Sequence, residues 1–401
     1  MTCHLLPGRL AAAFLFLLAH GTATAGPPPL EPAPPHEVGM DSGRLSFIDP
    51  IIEEGLREGQ MAGCVVLVGR KGKIVYEKAF GERQSEPVSV PMTEDTVFDL
   101  ASLTKPVATA TSVMHLFEQG HVKLDEPVAT YIPEFAANGK DELTLVDLLT
   151  HQGGLIPDNS IRDYEGDPAT AIEKTLATKP IASRGERFIY SDVGFIVLAE
   201  VVKRVSGKSV HEYSQQHIFG PLGMSETGYM PAEDLRQRAA VTEKRDGEWM
   251  RGEVHDPRAY RLGGVAGHAG LFSTAQDLAV YATMMINGGA YGGARVLEEE
   301  TVERMTRPVS VPRGLRALGW DVNSPYSSNR GDLMSDRAFG HGGFTGTAMW
   351  VDPPQELFVI FLSNRLHPDG KGSVNSLAGR IGTVAAAAIL EPSGLSVPQA
   401  P

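Results

Sequence analysis

Cysteine is nearly missing from this chain: the 401 residues hold only Cys3 and Cys64. Cys3 falls in an N-terminal segment expected to be removed, so the mature protein has no internal disulfide to rely on. Cys64 sits in the β-branched run AGCVVLVG and reads as a small buried residue, not a nucleophile. Clustered Lys/Arg runs are missing too. With 36 basic and 49 acidic residues the formal charge is −13, which argues against binding nucleic acid. The apolar run LAAAFLFLLA (10–19) is too short to span a bilayer. Flanked by Arg9 and by Ala23 and Ala25 in an A-x-A arrangement, it reads as a signal segment (1–25) cleaved near Ala25. No Cys follows it, so lipoprotein processing is unsupported. Export predicts a secreted or periplasmic protein without a stable membrane span. No G-x-S-x-G is present, SGKS (206–209) lacks the upstream Gly of a phosphate loop, and neither HEVGM nor HEYSQ is H-E-x-x-H.

What is there suits a globular domain: 42% apolar and 21% charged residues. Low complexity is confined to a Pro-rich linker (26–39) and a tail (391–401) expected to be disordered. Residues 43–60 carry helical periodicity. CVVLVGRKGKIVYEKAFG (64–81) reads as a hairpin, and so does TAMWVDPPQELFVIFLSNR (347–365) around Asp352-Pro353-Pro354. Between them the pattern is helical at 107–120, 143–154, 193–207 and 274–289, and 376–390 reads as a closing helix. These segments predict one α+β domain over 40–390. Its antiparallel sheet is built from the N- and C-terminal segments, flanked by helices, with a mostly helical insertion at about 107–290.

ASLTKP (101–106) places Ser102 and Lys105 three residues apart at the predicted start of a helix. One turn of helix brings the amine within reach of the hydroxyl, and Pro106 is tolerated only in that first turn. Free backbone N–H groups there would suit an oxyanion. The same serine also reads as an ordinary N-cap. RFIYSDVGF (187–195) offers Tyr190 and Asp192 at another helix start, where a phenol can pass a proton or simply pack. GHGGFTGTAMW (340–350) sets His341, Gly342 and Gly343 before a strand, as a site for close substrate approach or as a tight turn.

Together S-x-x-K, Y-S-D and H-G-G resemble the serine β-lactamase and penicillin-binding-protein superfamily, in its class C-like branch. LLTHQGGL (148–155), GERFIYSD (185–192) and GHAGLFSTAQDLA (267–279) add to the resemblance, which covers about 37–390. It implies a β-lactamase/transpeptidase-like fold and no metal or other cofactor. It implies Ser102 as acylated nucleophile, Lys105 as a neutral general base and Tyr190 as proton carrier. The backbone N–H groups of Ser102 and Phe344 would hold the oxyanion, and His341, Gly342, Gly343 and Asp192 would meet the substrate. Asp192 departs from the family's Asn, and an ionised Asp can only accept hydrogen bonds. His341 stands where β-lactamases carry Lys, and with a reference pKa of about 6.5 it is mostly neutral at pH 7.

GEVHDPRAYRLGGVAGHAG (252–270) resembles members tied to cell-wall peptide or muramyl-amide hydrolysis. His255, Asp256 and His268 within it are expected to cap turns or line the cleft, not to bind metal. The expected activity is amide hydrolysis on a peptidoglycan-derived small molecule or muropeptide, of D,D-carboxypeptidase or muramyl-alanine amidase type. An esterase or weak β-lactamase of the same fold, and a non-catalytic binder of cell-wall fragments, are the alternatives. The oligomeric state is left open.

Overall fold

The computed structural model describes residues 1–2 and 27–390. The apolar run, its A-x-A site and the tail 391–401 lie outside the described residues. Nine strands form one sheet: β1 (Gly63–Arg70), β2 (Lys73–Gln84), β3 (Val90–Pro91), β4 (Val309–Val311), β5 (Gly314–Arg316), β6 (Asp321–Asn323), β7 (Phe339–Gly343), β8 (Thr347–Asp352) and β9 (Leu357–Ser363). Their order is β4-β5-β6-β7-β8-β9-β1-β2-β3, and every neighbouring pair is antiparallel. The two expected hairpins meet at the centre, where β1 pairs with β9 from Cys64↔Ser363 to Arg70↔Leu357.

That junction explains the unbroken apolar runs. β1 and β9 are buried along their whole lengths, because both sheet faces are covered. On one face Val66 and Val68 pack with Ile48 and Ile52 of α1 (Ile48–Arg57) and with Ile381 of the closing helix (Asn375–Ala387). On the other, Val65 and Leu67 join the core of the helical region, which includes α2 (Thr111–Glu118), α3 (Leu145–Leu149), α4 (Asp192–Ser206) and α5 (Ala275–Ile286). Local sequence sets the ends of these helices. Thr144 and Asp147 form a reciprocal capping box on α3. Ser191 caps α4, which stops at Gly207 with φ 74°.

The insertion also holds strands that periodicity does not reveal. Leu271–Ser273 and Gly228–Tyr229 form a small sheet with Phe98–Asp99, which lies ahead of the insertion, and Val241–Arg245 pairs with Glu248–Arg251. In the small sheet, strands of two and three residues are too short to show alternation. The Pro-rich stretch differs from a free linker: Ala33 N–H donates to Ile74 O at 2.8 Å, Ile74 N–H donates to Glu31 O at 3.1 Å, and Leu30 is buried. Its prolines pre-set an extended path that docks beside β2. Among the described residues no helix is long and apolar enough to cross a membrane.

Candidate active site

The S-x-x-K segment is held from both sides. Leu100 N–H donates to Leu271 O at 2.9 Å. The buried Asp99 carboxylate accepts from the N–H groups of Ala101 at 2.9 Å and His255 at 2.6 Å. Ala101 takes φ 44°, a left-handed conformation that costs an L-residue energy and recurs where a side chain must be aimed. Ser102 follows in a 3-10 turn (Ala101–Leu103), and a π-helical turn (Lys105–Ala110) runs on into α2. Pro106 sits in that first turn, as its missing N–H requires.

Lys105 is fully buried. Its Nζ lies 2.9 Å from Ser102 Oγ, 3.1 Å from the His268 carbonyl and 2.6 Å from Asp192 Oδ1. The Tyr190 ring centroid is 4.9 Å away, and the phenol and the amine act on each other's charge. Burial opposes charge on Lys105, but the Asp192 carboxylate and Tyr190 more than offset it and push the amine up. The resting lysine is therefore an ammonium. This corrects the expectation of a neutral Lys105: the third residue of Y-S-D is a carboxylate pressed against the amine.

Tyr190 is set by a residue that the motif reading passed over. His151 Nδ1 accepts the Ser191 N–H at 3.0 Å, and the His151 carbonyl accepts the Ile189 N–H at 3.1 Å. Its ring lies 4.5 Å from that of Tyr190, which also stacks on Tyr326 at 4.9 Å. Burial and the nearby Arg316 and Lys105 cations hold His151 well below the usual imidazole range. Its only sequence signal is the histidine of LLTHQGGL. Arg316, Tyr326, Asn329 and Arg365 carry no spacing signal at all, yet they line one cleft of about 370 Å³ with Ser102, Tyr190, His341, Gly342, Gly343 and Phe344.

His341 is buried on β7, and its Nδ1–H donates to Gly342 O at 2.7 Å. Burial, Arg316 and Lys105 push its pKa well down, so it presents an uncharged ring. The two glycines answer a close approach. Thr347 Oγ1 donates to Leu100 O at 3.0 Å and Thr345 Oγ1 to Asp99 O at 2.7 Å, tying this edge to the nucleophile turn. A Cβ on Gly343 would collide with the Leu100 carbonyl and the Thr347 hydroxyl. Gly343→Ala is expected to push β7 from the turn and lower kcat on a p-nitrophenyl ester by about 10²-fold, the cost of misplacing reacting groups by about 1 Å. An unchanged rate would show that this edge tolerates the shift.

Asp192, Asp256 and His268 form a cluster with donor atoms within 4.8 Å of one another. Protonated side chains already answer its charge: Lys105 meets Asp192, and His268 Nε2 lies 2.9 Å from Asp256 Oδ1. Burial opposes charge on His268, but Asp256 outweighs it and raises the imidazole above its usual range. The Asp256 carboxylate also caps a helix start, accepting from Arg258 and Ala259 N–H. His255 Nε2 pairs with Glu243 at 2.5 Å, away from this cluster.

A hydroxyl and a phenol facing a cleft over a buried amine, beside a glycine-rich strand edge, define a serine hydrolase of the acyl-transfer type. The chain belongs to the β-lactamase family, whose sequence pattern matches residues 48–381. It is 33% identical over 392 residues to a provisionally named D-alanyl-D-alanine carboxypeptidase of Escherichia coli K12, covering 88% of this chain and 89% of the other. It is 32% identical over 361 residues to an N-acetylmuramyl-L-alanine amidase of Bacillus subtilis 168, covering 81% of each. A penicillin-binding-protein homologue from Caulobacter crescentus shares the fold, with a TM-score of 0.70 at 22% identity over 87% of this chain and 99% of that one. So does a class C β-lactamase from Rhodobacter sphaeroides, with a TM-score of 0.67 at 22% identity over 86% and 99%.

Proposed function

We propose that this chain is an exported serine hydrolase that cleaves an amide bond in peptidoglycan-derived substrates, of carboxypeptidase or amidase type. The observation that carries this reading is Ser102 Oγ at 2.9 Å from a buried Lys105 amine that is itself paired with Asp192. The names of the two sequence relatives support the substrate class, and the A-x-A segment supports export. The uncharged His341 favours a peptide or ester carbonyl over a β-lactam that needs a lysine there.

Lys105 rests as an ammonium, so a proton must leave it before it can act as base. Asp192 is the acceptor at hand. Lys105 passes one proton to Asp192, then takes the Ser102 proton as the oxygen attacks the carbonyl carbon. The N–H groups of Ser102 and Phe344 hold the oxyanion. Tyr190 gives its proton to the departing amine and is refilled from Lys105, which recovers the proton held by Asp192. The net transfer is the Ser102 proton to the leaving group. Water then attacks the acyl-enzyme and returns a proton along the same path to Ser102.

A single substrate screen tests the reading. Purified protein is incubated with muropeptides, p-nitrophenyl esters and penicillin, and products are followed by mass spectrometry. Release of a terminal amino acid or a peptide from the muropeptides is the expected result. Turnover of esters alone would make it an esterase, and no turnover with no covalent adduct would leave a binding protein.

A further inference from the structure

A charged lysine amine has three N–H groups, and three acceptors surround that of Lys105. They are Ser102 Oγ at 2.9 Å, Asp192 Oδ1 at 2.6 Å and the His268 carbonyl at 3.1 Å. In the reaction path above, Ser102 and Asp192 each carry the travelling proton in turn. A carbonyl cannot. It is the partner that stays an acceptor from start to finish, and it holds the amine in place once the charge has gone.

The chain around that carbonyl has little of its own to hold it. His268 lies in AGHAG (266–270), where every other residue is Ala or Gly. The segment is tied at its two ends. Ala266 O accepts from Tyr229 Oη at 3.2 Å, and Gly267 O accepts from Thr109 Oγ1 at 2.7 Å. Just beyond, Leu271 N–H donates to Thr104 Oγ1 at 3.1 Å. A Cβ on Gly267 would strike the Phe195 carbonyl of α4, and Gly270 takes φ 113°.

Between these ties the His268 ring is the one side chain able to anchor the turn. It is buried, and its Nε2–H donates to Asp256 Oδ1 at 2.9 Å. Asp256 is itself fixed. The same oxygen accepts from the N–H groups of Arg258 at 2.9 Å and Ala259 at 2.7 Å, at the start of the helix Pro257–Arg261.

We propose that His268 is a positioning residue for Lys105: its ring, anchored on Asp256, aims its own carbonyl at the amine. His268 is not among the residues lining the Ser102 cleft, so it acts through the lysine and not on the substrate. The role rests on the serine-hydrolase reading above and extends that machinery behind the cleft.

The test follows hydrolysis of a p-nitrophenyl ester, with active sites counted by fluorophosphonate titration so that unfolded protein drops out. His268→Ala is expected to lower kcat by about 10²-fold, the cost of misplacing a reacting group by about 1 Å, with KM within about twofold. His268→Gln keeps an N–H that can reach Asp256 but carries no charge, and should recover kcat to within about fivefold of wild type. Asp256→Ala should match His268→Ala, and the double variant should be no slower than either, as for two residues acting as one unit. If His268→Ala does not fold, Asp256→Ala decides. Full kcat in either alanine variant, or a loss that falls on KM, would overturn the positioning role. So would a glutamine variant as slow as alanine, which would make the imidazolium charge the operative feature. A wild type with neither ester turnover nor adduct would instead overturn the hydrolase reading, and the role of His268 with it.

Discussion

Ser102→Ala protein is expected to lose at least about 10⁴-fold in kcat while keeping its fold, because nucleophile removal in serine hydrolases costs that much or more. The hydroxyl contacts Lys105, whose ammonium keeps two other partners, Asp192 and the His268 carbonyl. Stability should therefore change by no more than about 1 kcal/mol. Intact-mass measurement after incubation with a fluorophosphonate should show one adduct on the wild type and none on the variant. Cys64 will not confuse the readout, since it is buried and burial raises its thiol far above the usual range. An adduct that persists on the variant would place the nucleophile elsewhere.

Asp192→Asn tests the proton path. In the wild type the carboxylate holds the Lys105 amine up against the opposing effect of burial. Asparagine removes that support, burial then dominates, and the lysine pKa falls. The active form of the variant needs a free amine, so its acid limb should lie at higher pH than that of the wild type. We expect kcat about 10²-fold lower at pH 6, within the range of general-base effects, recovering as pH rises. Stability should follow with a definite sign. A lysine whose folded pKa is below its unfolded value of about 10.4 binds fewer protons when folded, so the variant gains stability as pH rises towards that value. The wild-type lysine is raised, so its contribution is fully present below about 10.4 and is lost only above it. Melting temperatures measured from pH 7 to 10 should rise for the variant, with no matching rise for the wild type. Matching slopes and matching rate profiles would remove Asp192 from the proton path.

Much of this molecule was legible in the chain. β1 and β9, eight and seven residues long, each carry an apolar run (64–69 and 357–362), and such runs bounded by turns announce central strands. Thr144 and Gly207 mark helix ends because capping is a local interaction between neighbours in sequence. Ser102 and Lys105 share a turn, so their contact also follows from local geometry. The short strands of the insertion were hidden because each is defined by partners far along the chain. Gly228, for example, pairs with Phe272.

By itself, then, the sequence determined the hairpins, the helices, the S-x-x-K turn and the resemblance that joined it to Tyr190 and His341. All of these rest on local propensity, periodicity or a motif. Tertiary structure alone decided the charge on Lys105, because Asp192 is 87 positions away in sequence and 2.6 Å away in space. It likewise decided that His151 orients Tyr190 and that Arg316 and Asp321, from adjacent strands, meet at the cleft floor. Charge states follow from burial and neighbours, and long-range neighbours exist only once the sheet has closed over the helices.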